Sequence, residues 1–522
     1  MSESLNTCSK PRLVHLVVLV HGLWGNRNHF DHIRSTLETE FERRQSVESS
    51  RCTEELVVYT THLNEGYKTY DGIDVCGVRV AGEVEEQITQ LGTVAKFSIC
   101  GYSLGGLIAR YALGVLYKKQ IFKKQEIELV NFTTFCTPHA GVYAPGKNFA
   151  VNLFNTVVPL VLGNTGKQMF LKDRGRFSNN LPLVLSMSLD NSVFYKALQE
   201  FKNMSLYANV INDKRTAWWT AGISRNDPFF EVDNRNGEHR FSYVKGYAPT
   251  IVDTSRSIKI TKIEDYNDKI EEEKQIHPHP NAKVDPREFY FINYWIAKLC
   301  RWFMVFVNLV LIAPMWVIWF IISGIMETIK STTRATRFVR GYSHHFISEI
   351  YDCGSEEPGS DDAIEYPSDV PNEYELQIQQ SLNDQTETFI ESVFSAIERK
   401  NTLSAVIDET ESGDITDTED SFPVVRTTMK ELESLSIEEI KERRPHAGHM
   451  GDLPSLENLH LDLTPQQLQI IQSLNKFAWK KFPVYIRETM STHACAIVRH
   501  DDPHFEEGKV VVRHWVTEVF EF

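Results

Sequence analysis

Leu13 to Val20, LVHLVVLV, is an apolar run rich in valine, interrupted only by His15. A strand without alternation must be buried on both faces, which is the situation of a central strand in a parallel sheet covered by helices on either side. Leu56 to Thr60, Ala95 to Cys100 and Ile127 to Phe135 read as further strands. Val80, Val84, Ile88 and Leu91 recur at near-helical spacing, and Leu107, Ile108, Tyr111, Ala112, Val115 and Leu116 make one apolar stripe. Strands alternating with helices predict an α/β domain with a mainly parallel sheet.

The stretch SICGYSLGGLIARY, Ser98 to Tyr111, places a serine between glycines where a strand passes into a helix. In a chain with 27 glycines the pattern Gly101-Tyr102-Ser103-Leu104-Gly105 alone is a weak signal. Its context strengthens it. A nucleophile at a sharp strand-to-helix turn needs small neighbours two residues away on either side, which Gly101 and Gly105 supply. The turn also aims the helix N-terminus at the reacting centre, where its amides favour developing negative charge. Ser103 is therefore the candidate nucleophile. His21-Gly22-Leu23, at the end of the first strand, would taken alone be an ordinary turn. Joined to the elbow, it predicts an oxyanion hole made by the Leu23 and Leu104 amides, with Gly22 permitting close approach.

The acid and base should follow in the order Ser, Asp, His, each after a later strand. Asp213 ends the apolar stretch SLYANVIND, whereas Asp190 and Asp227 follow no such run. Among 18 histidines, His493 lies in the loop after the strand expected over Lys481 to Ile486, at the mouth of a short apolar helix. His500, His504 and His514 are rivals, as are His446 and His449 before the strand. His139, in TPHAG, would break the order and is expected to be structural. This set requires neither a metal nor an organic cofactor.

The net charge of -15 is not spread evenly: Tyr351 to Ser421 carries twenty acidic residues against Arg399 and Lys400, so the remainder is close to neutral. That stretch, poor in apolar residues, reads as a mobile, solvated insert. No basic, aromatic-interleaved patch supports nucleic-acid binding. Eight cysteines without a CxxC pair, and a polar start, MSESLNTCSKPR, lead to the expectation of a reducing, cytosol-facing location without disulfides.

Trp302 to Met326 contains no charged residue over 25 positions, long enough at about 1.5 Å per residue to cross a core of about 30 Å. A single crossing would separate Asp213 from His493. A shared site therefore requires entry and exit by one face, as a hairpin or an in-plane anchor. Pro314 and the basic flanks Lys298, Arg301, Lys330, Arg334, Arg337 and Arg340 fit this. A second apolar stretch, Phe149 to Gly163, reads as part of a cap or as a buried helical core.

HLVVLVHGLWGN, YDGIDVCGVRVAGEV, GYSLGGLIARY, TTFCTPHAGV and THACAIVR together resemble the fungal serine esterase and lipase family related to a lipid-droplet phospholipase and a monoacylglycerol lipase. The resemblance covers Leu13 to Asp227 and the last forty or so residues. It implies an α/β-hydrolase fold, hydrolysis of lipid esters, and Ser103, Asp213 and His493 as nucleophile, acid and base. The expected organisation is a core first part at 1–230 with a cap at about 142–200, then a connecting region at 231–288. A membrane or lipid-droplet anchor at 289–345, an acidic, largely disordered insert at 346–450 and the last core part at 451–522 complete it. The expected activity is that of a phospholipase, phospholipase B-like, or a glycerolipid lipase, with monoacylglycerol lipase as alternative. It would act at a lipid droplet or endoplasmic reticulum membrane, its catalytic part facing the cytosol. A reading of another class is a non-catalytic, membrane-anchored scaffold.

Overall fold

The computed structural model describes residues 13–47, 54–145, 149–173, 181–213, 216–229, 241–255, 257–258, 313–341, 427–428, 436 and 461–522. Its centre is a sheet of β1 (Leu13–Val20), β2 (Glu54–Thr60), β3 (Val94–Tyr102), β4 (Glu128–Phe135), β5 (Asn203–Asn209) and β6 (Lys480–Val484). The order is β2-β1-β3-β4-β5-β6 and every neighbouring pair is parallel. This is the α/β-hydrolase arrangement expected from the sequence. The first five strands come from the N-terminal part, and the sixth comes from the far end of the chain.

The two faces of β1 explain its unbroken apolar run. Leu16, Val18 and Val20 enter one core with residues of α2 (Ile73–Leu91) and α3 (Leu104–Lys118). Val17 and Leu19 enter a second core with Phe30, Ile33 and Leu37, the last two from α1 (Asp31–Val47), and with Trp515 and Val516 near the C-terminus. Both cores exclude water, so β1 has no face on which a polar residue would be solvated. His15 is accommodated because its Nε2 pairs with the Ser98 hydroxyl at 2.8 Å and its ring stacks on Phe520.

The chain enters the sheet at β1, moves outward through α1 to β2, and then returns through α2 to β3 on the other side of β1. The direction of winding therefore reverses between β1 and β3. The carboxyl ends of these two strands form the topological switch point, where an open parallel sheet leaves a crevice. Val20 pairs with Gly101 in the register, so the His21 loop and the Ser103 turn leave the sheet side by side.

The region between β4 and β5 divides into two kinds of helix. In α4 (Phe149–Val161), Leu153 and Leu160 are half exposed, at 51% and 57%, as suits a surface cap. After α5 (Gly163–Met169), α6 (Val193–Gln199) lies against α3 instead. Its Phe194 fills the space over Gly114 and meets the Tyr111 ring at 4.8 Å. The later helix thus belongs to the layer that covers the sheet.

Of the long apolar segment, 302–312 lies outside the described residues, and the rest opens α7 (Ala313–Gly341). Pro314 lies within the described part of α7. Among the described residues no helix is long and apolar enough to cross a membrane. The acidic stretch at 351–421 lies outside the described residues. Cys76, Cys100, Cys136 and Cys495 are buried free thiols.

Several buried imidazoles set the acid response of this core. Burial pushes His15 down to about 3 and His514 to about 4, and holds His21 below and His139 well below the ordinary 6.5. These groups are neutral when folded and take up protons when unfolded. Their stabilising effect is complete above 6.5 and is lost as the pH falls towards the folded values. Asp173 and Asp227, pushed up to about 7 and about 6 by burial, act in the opposite direction but are fewer. Thermal denaturation should therefore show a midpoint that falls as the pH is lowered from about 7 to about 5; a flat or rising profile would contradict the reading.

Candidate active site

Ser103 caps α3 with φ 55 and ψ -129, a conformation that costs a non-glycine residue energy and persists only when the surroundings impose it. The surroundings are explicit. The Ser103 amide donates to the Phe135 carbonyl at 2.8 Å, which ties the turn to the end of β4. At Gly105 a Cβ would lie 2.0 Å from the Val20 carbonyl oxygen, so only glycine lets α3 start this close to β1. Gly101 stands against the Gly106 backbone just before the turn.

The His21 loop arrives at the same place. A Cβ on Gly22 would come within 2.7 Å of Ser103 Cβ and 3.2 Å of its Oγ. The neighbouring amides are committed elsewhere, Trp24 N to the Thr69 hydroxyl at 3.2 Å and Gly25 N to the Gly22 carbonyl at 3.0 Å. Leu23 precedes them in the loop, and Leu104 is the first residue of α3, where amides have no intrahelical acceptor. His21 is buried, its Nδ1 paired with the Gly22 carbonyl oxygen at 3.1 Å. It shapes the loop.

Asp213 and His493 meet, although 280 residues separate them. Their Oδ2 and Nδ1 are 2.8 Å apart, and both side chains are buried. The strand expected to run to Asp213 stops at Asn209, and the chain then turns through Asn212, at φ 58, to present the carboxylate. Burial by itself would raise the Asp213 carboxyl. The charge and hydrogen bond of His493 and two bonds from Thr216 override it and hold the carboxyl at about 2. With Nδ1 given to Asp213, Nε2 is the ring nitrogen left for proton transfer.

Several supporting residues carry no sequence signal of their own. The Thr216 amide and hydroxyl donate to Asp213 Oδ1 and Oδ2 at 3.0 Å each, and Asn209 Nδ2 donates to Oδ2 at 3.0 Å. Tyr102 donates its hydroxyl to the His493 carbonyl at 3.0 Å and lies 5.0 Å from the imidazole ring. The residue just before Ser103 thereby holds the loop that carries His493. Thr492 adds a weaker tie to the Ile211 carbonyl at 3.4 Å. An asparagine at a strand end and a threonine three residues after an aspartate are common in turns, so only the fold distinguishes these.

The rival candidates have other partners. Asp190 pairs with Lys476 and with the Ser473 hydroxyl, and Asp227 caps the Phe229 amide at 2.9 Å. His514 bonds the Tyr207 hydroxyl at 2.7 Å, His504 its own turn residue Asp502, and His500 lies on Phe505. His139 is fully buried between the Thr134 hydroxyl and the Trp479 ring, as a structural histidine should be. His446 and His449 lie outside the described residues.

Cys136 adds a thiol: its Sγ, a carboxylate oxygen of Asp213 and a ring nitrogen of His493 lie within 4.8 Å of one another. Two ligands of one tetrahedral metal at about 2.0 Å would be about 3.3 Å apart. The 2.8 Å between Asp213 and His493 is that of a hydrogen bond instead. Burial, and then the charge of Asp213, push the thiol well above its ordinary range, so it stays protonated beside the carboxylate.

Residues 10–225 match the family described as "Putative serine esterase (DUF676)", which bears out the resemblance carried by the motifs. Putative lipase YDL109C of Saccharomyces cerevisiae is 27% identical over 199 residues, 38% of this chain and 28% of that protein. Putative lipase C4A8.10 of Schizosaccharomyces pombe is 26% identical over 256 residues, 47% of this chain and 31% of that protein. The matched part thus spans about a third or less of these relatives' length. Among solved structures, phospholipase PlaB from Legionella pneumophila in complex with thio-NAD shares 12% identity, with 40% of this chain and 42% of that one covered, at a TM-score of 0.26. An extracellular alpha/beta-hydrolase from a Paenibacillus species shares 16%, over 40% of this chain and 82% of that one, at 0.22. Likenesses this slight have no bearing on function.

Tyr102→Phe removes one hydrogen bond to the His493 loop and leaves the ring in place. It should lower kcat about threefold to tenfold with little change in KM, as expected for a bond of about 0.5–1.5 kcal/mol that positions the base. Steady-state kinetics on a soluble ester checks this; an effect on KM alone would contradict it.

Proposed function

We propose that this chain, which matches a serine esterase family over residues 10–225, is a serine acyl hydrolase acting on lipid esters. The reading rests above all on the buried 2.8 Å pair of Asp213 and His493, brought together across the sheet from the strained serine turn. A purely structural protein has no use for this pair on the same edge as a serine in a costly conformation.

In this mechanism His493 Nε2 takes the proton of Ser103 as its Oγ attacks the ester carbonyl. Asp213, ionised throughout, holds the imidazole in the required tautomer and stabilises its protonated form. The Leu23 and Leu104 amides receive the oxyanion at a position that costs no reorganisation during reaction. His493 then returns the proton to the departing alcohol. Water, deprotonated by the same nitrogen, releases the acyl group and restores Ser103. Thr216 and Asn209 bond the Asp213 oxygens and keep the carboxylate pointed at the ring.

Within this class the favoured substrates are phospholipids, phospholipase B-like, or glycerides, with monoacylglycerol as the alternative. The relatives named as lipases support an acyl chain over a small polar ester. The uncharged stretch from Trp302 to Met326 supports work at a membrane or lipid-droplet surface, and eight cysteines without a CxxC pair favour a catalytic part on the cytosolic side.

Acyl release from phospholipid, monoacylglycerol, triacylglycerol and a short-chain soluble ester, compared between the natural chain and Ser103→Ala, tests this directly. Ser103→Ala should lose at least about a thousandfold in kcat, and Asp213→Asn a comparable amount. Equal turnover by the natural chain and Ser103→Ala would remove the nucleophile assignment. Absence of turnover on every ester would favour the anchored scaffold.

A further inference from the structure

Helix α7 has two unlike faces. Gly324, Ser331 and Ala335 are buried against the core, and a Cβ on Gly324 would come within 2.3 Å of Val161 Cγ1. Thr328 caps the end of α4 with its hydroxyl, donating to the Leu160 and Val161 carbonyls at 3.2 and 3.3 Å. Arg334 bonds Asp71 at 2.9 Å and the Tyr67 carbonyl at 3.3 Å, and it pairs with Glu327 at 2.8 Å. The helix is thus firmly seated on α4 and on the turn Gly66–Tyr70.

The other face is apolar and turned outward. Ile322, Ile325, Met326 and Ile329 recur at i, i+3, i+4 and i+7 and are 48–63% exposed. Leu153 and Leu160 of α4 continue this surface across the Thr328 contact. Among the described residues, six of the nine large exposed hydrophobic side chains lie in this one patch. Scattered apolar residues are ordinary on a protein surface, whereas a concentrated patch marks an interaction site. Beyond the stripe the helix carries Lys330, 62% exposed and sharing Glu327 with Arg334, then Arg337, also exposed.

We infer that this composite face of α7 and α4 docks on an anionic phospholipid surface, the helix lying in the plane of the headgroups. An apolar stripe followed by basic residues fits that chemistry: the stripe enters the acyl boundary, and the cations meet the phosphates. Of the two geometries open in the sequence, the in-plane one is compatible with a helix whose inner face is held by Asp71 and the end of α4. The position also serves the site. The turn that receives Arg334 holds Trp24, through Trp24 Nε1 to the Tyr70 hydroxyl at 3.0 Å and Trp24 N to Thr69, and Trp24 adjoins Leu23. The helix that carries the docking face is therefore joined to the Leu23 loop through the Gly66–Tyr70 turn and Trp24. Only this last consequence rests on the acyl hydrolase reading.

The test is co-sedimentation of the full chain with vesicles of phosphatidylcholine alone and with about 30% phosphatidylserine. Each variant is assayed in parallel on a soluble short-chain ester. The natural chain should bind the anionic vesicles more tightly. The double variant Ile325→Glu with Ile329→Glu, and separately Leu153→Glu with Leu160→Glu, should weaken binding at least about tenfold, and Lys330→Glu with Arg337→Glu should abolish the preference for phosphatidylserine. These side chains are exposed, so soluble-ester turnover and the melting curve should stay unchanged. Binding that survives both apolar variants overturns the inference. So does a self-association of the natural chain, without lipid, that the same variants abolish, since the face would then belong to a second copy. Normal vesicle binding with no turnover of any ester would instead leave the docking face standing and remove the hydrolase reading.

Discussion

The reversal of winding between β1 and β3 is the constraint on which the rest of the molecule depends. Because Val20 pairs with Gly101, whatever follows β1 lies beside whatever follows β3. Glycine at 22 and 105 lets the two backbones approach to distances no side chain would permit. A strained serine, a loop amide and a helix N-terminus converge there because the sheet leaves an open crevice at that point and nowhere along the interior of a strand. The energy of the Ser103 conformation is offset by the two cores on either side of β1, which make the sheet rigid enough to impose it.

The second requirement is a buried charge that survives burial. Asp213 would be driven towards its neutral form by its surroundings, and a neutral acid could not orient or stabilise the imidazole. Four hydrogen bonds to its two oxygens, from His493, Thr216 and Asn209, prevent this. They come from three separate places in the chain: the end of β5, the turn after it, and the loop beyond β6. The contribution of β6 is therefore as much to chemistry as to the sheet, since it carries His493 to the same edge. Tyr102, one residue from the nucleophile, closes the arrangement by bonding the His493 backbone.

Between Asp213 and His493 the chain makes a long excursion, and α7 is one of the described parts of it that return to the core, with 216–229, 241–255 and 461–484. Its seat on Asp71 and the end of α4 joins the excursion to the same turn that supports Trp24 and the loop of Leu23. An insertion attached in this way adds a surface to the hydrolase core without disturbing the sheet. Over 322–335 of α7, Gly324, Ser331 and Ala335 are turned inward and Ile322, Ile325, Met326 and Ile329 outward, the reverse of an ordinary surface helix.

Much of this was legible in the residues themselves. The unbroken run at Leu13 required burial on both faces, the glycines around Ser103 required a tight turn, and local pattern is enough to recognise both because each depends on neighbours in sequence. The order Ser, Asp, His narrowed the acid to Asp213 and the base to His493 among many rivals. The end of β5 at Asn209, the partners Thr216 and Tyr102, the inward role of α6 and the outward stripe of α7 were not legible. Each depends on which element lies opposite, and a threonine or tyrosine has the same local pattern whether it bonds a catalytic group or water. The sequence determined the strands, the tight turn at Ser103 and the choice of Ser103, Asp213 and His493 as candidate reacting side chains, through periodicity, backbone sterics and chain order. Only the tertiary structure decided which side chains support them, because those contacts cross hundreds of residues and are made by packing alone.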